Sequence, residues 1–295
     1  MTWDGHDPDF LGVRVPLPLP TDGRPTRELR YPRFTVLLDP ERRFAVVTAV
    51  DIDGASLLDL PRRGDWALDD RVPDDAQAGP AVYSANDLDR GHLVRRRDPG
   101  WGTEAQAREA TAATFFYPNA APQAAGFNQS KDLWVGLEDH VLSYADATDQ
   151  RISVFTAPVL EPDDPPYRGI LIPRCFWKIA AWVTVGTDGE PTLAAAGFVL
   201  DQSELISAAS VVPLSGFRTF QVPIGDIAEL AGVDLGPLVD ADVLTVSAGT
   251  REQRWRELDS VTRILLSSVS SARHHRGKKA EECFADLPAR RIPQV

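Results

Sequence analysis

Asp89-Arg90-Gly91-His92 puts a titratable imidazole, a guanidinium and a carboxylate within four residues. Asn119 and Gln123 follow in a proline-bounded stretch, Asn128 in Phe127-Asn128-Gln129-Ser130, and Glu138 in Gly136-Leu137-Glu138-Asp139. Hydrolysis of a phosphodiester needs a base for the attacking water, charge stabilisation at phosphorus and help for the departing oxygen. His92 suits the base role because imidazole titrates near neutrality. A hard cation such as Mg2+ takes oxygen ligands and keeps much of its water shell, so the Asn128 amide oxygen with water molecules is a sufficient donor set. Glu138 can accept hydrogen bonds from those waters, and Arg90 can meet phosphate charge. Arg95 and Arg96, in the Arg95-Arg96-Arg97 run just beyond the motif, read as contacts to nucleic-acid phosphates.

The elements around these residues must hold them in register. Asp89 to Val94 reads as an extended segment, with Gly91 letting the backbone bend or a ligand approach closely beside His92. A helix is expected from Thr103 to Phe115, with Thr103 as its N-cap and Pro118 as its stop. A second is expected over 131–147, where Leu133, Leu137, Val141 and Tyr144 make an apolar stripe. Trp134, Glu138 and Leu142 form the adjacent row, so the Glu138 carboxylate needs a cation, waters or a donor to meet it. Plainer chemistry also exists for these residues: asparagine at 128 suits a helix N-cap, and turns account for Asn119 and Gln123.

The rest of the chain reads as scaffold. Residues 1–30 are rich in Pro, Gly and Asp, as an arm wrapping the domain would be. Phe34–Leu38 and Phe44–Val50 flank a hairpin turn, and residues 51–80 form a polar surface excursion. Strands are expected over 152–160, 175–186 and 192–200, and short helices over 202–209 and 223–231. A helix over 251–270 would put Trp255, Leu258, Val261 and Leu265 on one face. His6, His140, His274 and His275 are expected to be structural or solvent-facing.

The 295 residues, 43% of them hydrophobic, are enough for one large core. No apolar run reaches the roughly 18–20 residues that cross a bilayer, and the first residues lack a basic and apolar leader. No membrane association is expected, and a cytoplasmic location is. Cys175 and Cys283 are too far apart in type of surroundings to suggest a disulfide framework. The net charge of -12 argues against indiscriminate attraction to polyanions. Residues 251–291 nonetheless carry ten Lys and Arg against six Asp and Glu, a basic extension on an acidic protein.

The ordered set Asp89-Arg90-Gly91-His92, Asn119, Gln123, Asn128 and Trp134-x-x-Leu137-Glu138 resembles the DNA/RNA non-specific endonucleases, the ββα-metal nucleases that include secreted bacterial enzymes and mitochondrial endonuclease G. The likeness extends more loosely from about Gly5 to Val243. It implies an α+β fold with a mixed, mostly antiparallel sheet and a ββα-metal core, over a domain of residues 1–245 followed by a partly helical extension at 246–295. It implies His92 as general base, Asn128 as direct Mg2+ ligand with Mn2+ as a substitute, Glu138 in the hydration shell, and 5′-phosphate products. Asn119 and Gln123 would shape the site. An upstream arginine on the phosphate is also implied; Arg62, Arg63 and Arg71 compete and Arg63 is preferred. The spacing from Asn128 to Trp134 is longer than in some secreted members, so Glu138 is less firmly placed than Asn128. The expected substrate is DNA or RNA, and several family members are homodimers. A nuclease without a leader implies restraint, by a regulatory partner or by the 246–295 extension, as in a defence or cell-death effector. The alternative is a catalytically silent nucleic-acid-binding or docking module on the same fold.

Overall fold

The run Cys175-Phe176-Trp177-Lys178-Ile179-Ala180-Ala181-Trp182 has no polar alternation, and a strand without a polar face must be covered on both sides. In the computed structural model that run is the middle of a long strand. The structure describes residues 3–124, 142, 145, 148–186, 188–207, 218–244, 250, 254–258 and 264.

Numbered along the chain, the strands are β1 (Leu19–Pro20), β2 (Arg27–Tyr31), β3 (Phe34–Asp39), β4 (Phe44–Asp53), β5 (Leu88–His92), β6 (Ala120–Ala124) and β7 (Arg151–Pro158). They continue as β8 (Pro166–Tyr167), β9 (Ile170–Leu171), β10 (Cys175–Val185), β11 (Pro191–Asp201), β12 (Arg218–Val222), β13 (Val233–Asp234) and β14 (Arg256–Leu258). Eight of them make one sheet in the order β14-β12-β11-β10-β7-β4-β3-β2. Every described pairing in it is antiparallel. Parallel character is confined to isolated bridges such as Ala67↔Phe116. The fold is α+β, a large antiparallel sheet with few helices.

Successive residues of β10 enter two different cores, as a period of two requires. Phe176, Ala180 and Trp182 join the first, with Leu93, Val94, Ala113, Tyr117, Ala120 and Ala121. Trp177, Ile179 and Ala181 join the second, with Val15, Ile224, Ile227 and Leu238. One face of the sheet is therefore covered by the segment bearing the sequence motif, and the other by the N-terminal arm and the helix Ile224–Ala231. Each large side chain buried on these faces contributes about 1.5–3 kcal/mol relative to exposure.

The arm is fastened by polar contacts. His6 Nδ1 lies 2.8 Å from Asp51 Oδ1 and Nε2 3.1 Å from the Val15 carbonyl. Ser153 Oγ donates to the same Asp51 oxygen, and the Asp7 N–H donates to the other. His6 is thus structural, as its place in the arm suggested. The helix Glu104–Ala113 begins at Thr103, which forms a reciprocal capping box with Gln106.

Two elements differ from expectation. Arg27–Tyr31, read as arm, is the edge strand β2, with Leu29 and Tyr31 buried between exposed Arg27, Glu28 and Arg30. Arg256–Leu258, read as part of a helix, is the opposite edge strand, paired with Thr219–Gln221. The open backbone of β12 supplies hydrogen bonds there that a helix could not use, and Leu258 is buried. The rest of the expected 251–270 helix lies mostly outside the described residues.

Candidate active site

β5 and β6 form a separate antiparallel pair in which His92 faces Ala120, Gly91 faces Ala121 and Asp89 faces Gln123. This hairpin is not hydrogen-bonded into the eight-stranded sheet, so packing and a few buried amides hold it. Gln123 lies diagonally across from Gly91, and its side chain covers the glycine. A Cβ at position 91 would stand 2.0 Å from Gln123 Cδ. Gly91 is required by close approach, here of the chain's own Gln123 side chain rather than of a ligand.

Asn119 fixes the chain just beyond His92. Its Oδ1 accepts from the Val94 N–H at 2.8 Å, and its Nδ2 donates to the Val94 and Thr114 carbonyls, both at 2.9 Å. Its own carbonyl accepts from the Leu93 N–H at 3.0 Å. Fully buried, the amide serves the backbone. At the far end of β6 the buried Gln202 does similar work. Its Oε1 accepts from the Ala124 N–H, while Nε2 donates to the Pro122 and Pro173 carbonyls. Sequence reading missed Gln202, because nothing local connects it to a strand some eighty residues earlier.

The His92 imidazole sits among aromatic rings. Trp66 lies 4.6 Å away at 46°, and Phe115 meets it edge-on at 5.0 Å. Its Nε2 is buried and has no hydrogen-bond partner among the described residues. Burial, then the charges of Arg62, Arg96 and Arg95, push its pKa down to about 3. The imidazole is therefore neutral near pH 7, with a lone pair available to a proton.

The arginines come from two loops that are laced together. The Leu58 N–H donates to the Gly100 carbonyl, the Gly102 N–H to the Ser56 carbonyl, and Arg96 Nη1 to the Leu60 carbonyl at 2.9 Å. Arg97 approaches Asp59 at 3.7 Å. Arg62 stands 5.9 Å over the Phe115 ring. Of the three upstream arginines considered from sequence, Arg62 is the one among the leading charges on His92. Arg62 and Arg63 are both exposed, and Arg71 is held by Asp69, with bonds of 2.9 and 2.6 Å. Arg90 lies 5.5 Å over the Tyr83 ring, and its buried Nε lacks a partner among the described residues. Arg62, Arg95 and Arg96, the charges that act on His92, form a local basic site on an acidic protein, which suits a phosphate.

Asn128 and Glu138 lie outside the described residues. From the expected second helix, Leu142 and Ala145 are helical and buried, and Thr148, just past its expected end, is helical too. Among the described residues no three His, Cys, Asp or Glu side chains converge as a metal site.

The model of the family described as DNA/RNA non-specific endonuclease matches residues 16–242. The chain belongs to that family. Among solved structures, this family member resembles a chain of "Crystal structure of the EndoG/EndoGI complex: Mechanism of EndoG inhibition", with a TM-score of 0.53, 19% identity, and coverage of 70% of this chain and 84% of that one. That likeness shows the fold. A relative from Sinorhizobium fredii (strain NBRC 101917 / NGR234), "Uncharacterized protein y4fB", is 37% identical over 289 residues. The match takes in 88% of this nuclease-family chain but 42% of the relative, so the chain spans less than half of that protein's length.

Proposed function

We propose that this protein is a metal-dependent endonuclease hydrolysing the phosphodiesters of DNA, RNA or both to 5′-phosphate products. The observation that supports the reading most is the His92 Nε2, buried without a partner beside a cluster of arginines. A fold leaves such an atom unsatisfied at a cost of about 1–3 kcal/mol, which calls for a use.

In this reading the neutral His92 takes a proton from the attacking water. Alone, a base titrating at about 3 is weak, but a bound phosphate offsets the arginine charges and raises the imidazole toward a useful value. Arg62 and Arg96 hold non-bridging phosphate oxygens, with Arg90 and Arg95 adding charge. Asn119 and Gln123 keep His92 in register through Val94 and Gly91. Asn128 would hold the cation through its amide oxygen, and Glu138 would orient its waters. An oxygen donor set of this kind suits Mg2+, with Mn2+ as a substitute. When bound, the ion supplies charge stabilisation at phosphorus and at the leaving oxygen.

A cytoplasmic location and a role as a restrained defence or cell-death effector complete the proposal. The solved relative's title describes EndoG inhibition in a complex with EndoGI, and an inhibitory protein partner is the corresponding suggestion for this chain. Homodimerisation and control by the 246–295 extension belong to the same proposal. Digestion of plasmid and of RNA with Mg2+ or with EDTA, using wild type and His92→Ala, tests the chemistry. Cleavage that needs Mg2+ and His92 supports it. A folded wild type that cuts neither substrate, or a His92→Ala variant that cuts as fast, overturns it.

A further inference from the structure

The loop that reads as a surface excursion lies on the base. Arg62, Arg63, Gly64 and Asp65 are exposed, but Trp66 is half-buried. Gly64 adopts φ +140°, and a Cβ there would stand 2.5 Å from Phe115 Cδ2, so the backbone lies flat on that ring. Trp66 then meets Phe115 edge-on at 5.5 Å, Tyr117 at 5.7 Å and His92 at 4.6 Å. Immediately afterwards the chain is pinned on both sides. The Ala67 N–H donates to the Phe115 carbonyl and the Tyr117 N–H to the Ala67 carbonyl, both at 3.0 Å.

A catalytic imidazole is ordinarily aimed by a hydrogen bond from one ring nitrogen to a carbonyl or carboxylate. Among the described residues no hydrogen bond reaches either nitrogen of His92, and Nε2 is buried. The χ2 torsion of histidine is broad, so an unbonded ring needs another constraint. Trp66 and Phe115 are what its faces and edges meet, and aromatic pairs of this geometry attract beyond simple burial.

We propose that Trp66 is a positioning residue for His92: the indole, clamped by the loop from Arg62 to Ala67, fixes the imidazole rotamer and so aims the ring's lone pair at the place of the attacking water. The proposal rests on His92 being the general base. Trp66 acts through His92 and touches no substrate.

The test uses the full chain with Trp66→Ala and Trp66→Phe, read by NMR of the His92 ring protons and by steady-state kinetics with Mg2+. In wild type those protons should be displaced by the neighbouring ring currents. Trp66→Ala should lose much of the displacement, with kcat falling about 10- to 100-fold and KM changing less than about 3-fold. Trp66→Phe should recover most of both. In a His92→Ala background, Trp66→Ala should cost nothing further. Should Trp66→Ala melt below the assay temperature, Trp66→Phe decides alone: lost displacement with an unchanged kcat overturns the proposal. So does a raised KM at constant kcat, which would put the indole on the substrate, or an equal loss in the His92→Ala background. If wild type cuts neither DNA nor RNA, the nuclease reading falls. In that event the ring-proton shifts still decide whether Trp66 holds His92, and unchanged shifts in Trp66→Ala overturn the positional claim.

Discussion

His6 and His92 pack on opposite faces of the same sheet, each with a phenylalanine edge-on to its ring: Phe155 at 5.5 Å for His6, Phe115 at 5.0 Å for His92. Their polar surroundings are opposite. Both His6 nitrogens have partners, Asp51 and the Val15 carbonyl. Burial alone would lower its pKa, but the Asp51 hydrogen bond and charge outweigh that and raise it. His92 has no such partner and faces arginines, which add to burial in depressing its pKa to about 3. Burial of a histidine is thus no guide to its role. A satisfied imidazole tied to a carboxylate fastens structure; an unsatisfied one among cations has a lone pair left for chemistry.

The largest expected break in this contrast is catalytic. His92→Ala should cost about 10²–10⁴ in the rate of plasmid nicking, while His6→Asn should leave the rate per folded molecule nearly unchanged. A comparable loss from His6→Asn would remove the distinction. Next comes Asn119→Ala, which strands the Val94 N–H and two carbonyls. Urea unfolding should show a loss of about 2–4 kcal/mol, at about 1–3 kcal/mol for each buried group left unsatisfied and partly relaxed, and nicking should fail with it. His6→Ala should cost about 1–3 kcal/mol by the same measurement, because Asp51 loses its partner. Gly91→Ala should cost about 1–3 kcal/mol through its clash with Gln123; a variant as stable and active as wild type would mean that Gln123 does not cover it.

The pH dependence is the most diagnostic, because its sign differs between the two histidines. The folded pKa of His6 is raised, so its contribution is complete below the unfolded value near 6.5 and disappears as pH rises through the higher folded value. The gap in melting temperature between wild type and His6→Asn should therefore narrow from pH 6 to pH 9. For His92 the unfolded chain takes a proton near 6.5 that the folded chain refuses until about 3, so wild type loses stability as pH falls through that window. His92→Ala should gain on wild type between pH 7 and pH 4. Melting curves with the same pH response for both variants would undo the electrostatic contrast.

Much of this was legible from the chain alone. The hairpin Phe34–Asp39 with Phe44–Asp53, the Thr103 cap and the three long strands follow from short-range patterns: β-branched and aromatic runs, a turn between them, a threonine three residues before a glutamine. The ordered set around His92 identified the family, which the match over residues 16–242 bears out. The environment of His92 was not legible. Arg62 and Arg63 are adjacent and chemically alike, and only the backbone path at Gly64 decides which guanidinium is turned toward Phe115. Trp66 looked like an aromatic in a polar loop. Leu258 fitted a helical stripe, yet the edge of β12 recruits its segment as a strand.

The sequence by itself determined which groups exist to do chemistry, how the β-strands alternate and where the helices begin, because those depend on neighbours a few bonds away. Tertiary structure decided which histidine finds hydrogen-bond partners among the described residues, which arginines lie near His92, and that an indole packs on its ring. Those outcomes depend on contacts between segments far apart in the chain, such as Trp66 with His92 and Gln202 with Pro122. No local pattern encodes such contacts, since the free energy that selects them comes from burying both sides of one sheet at once.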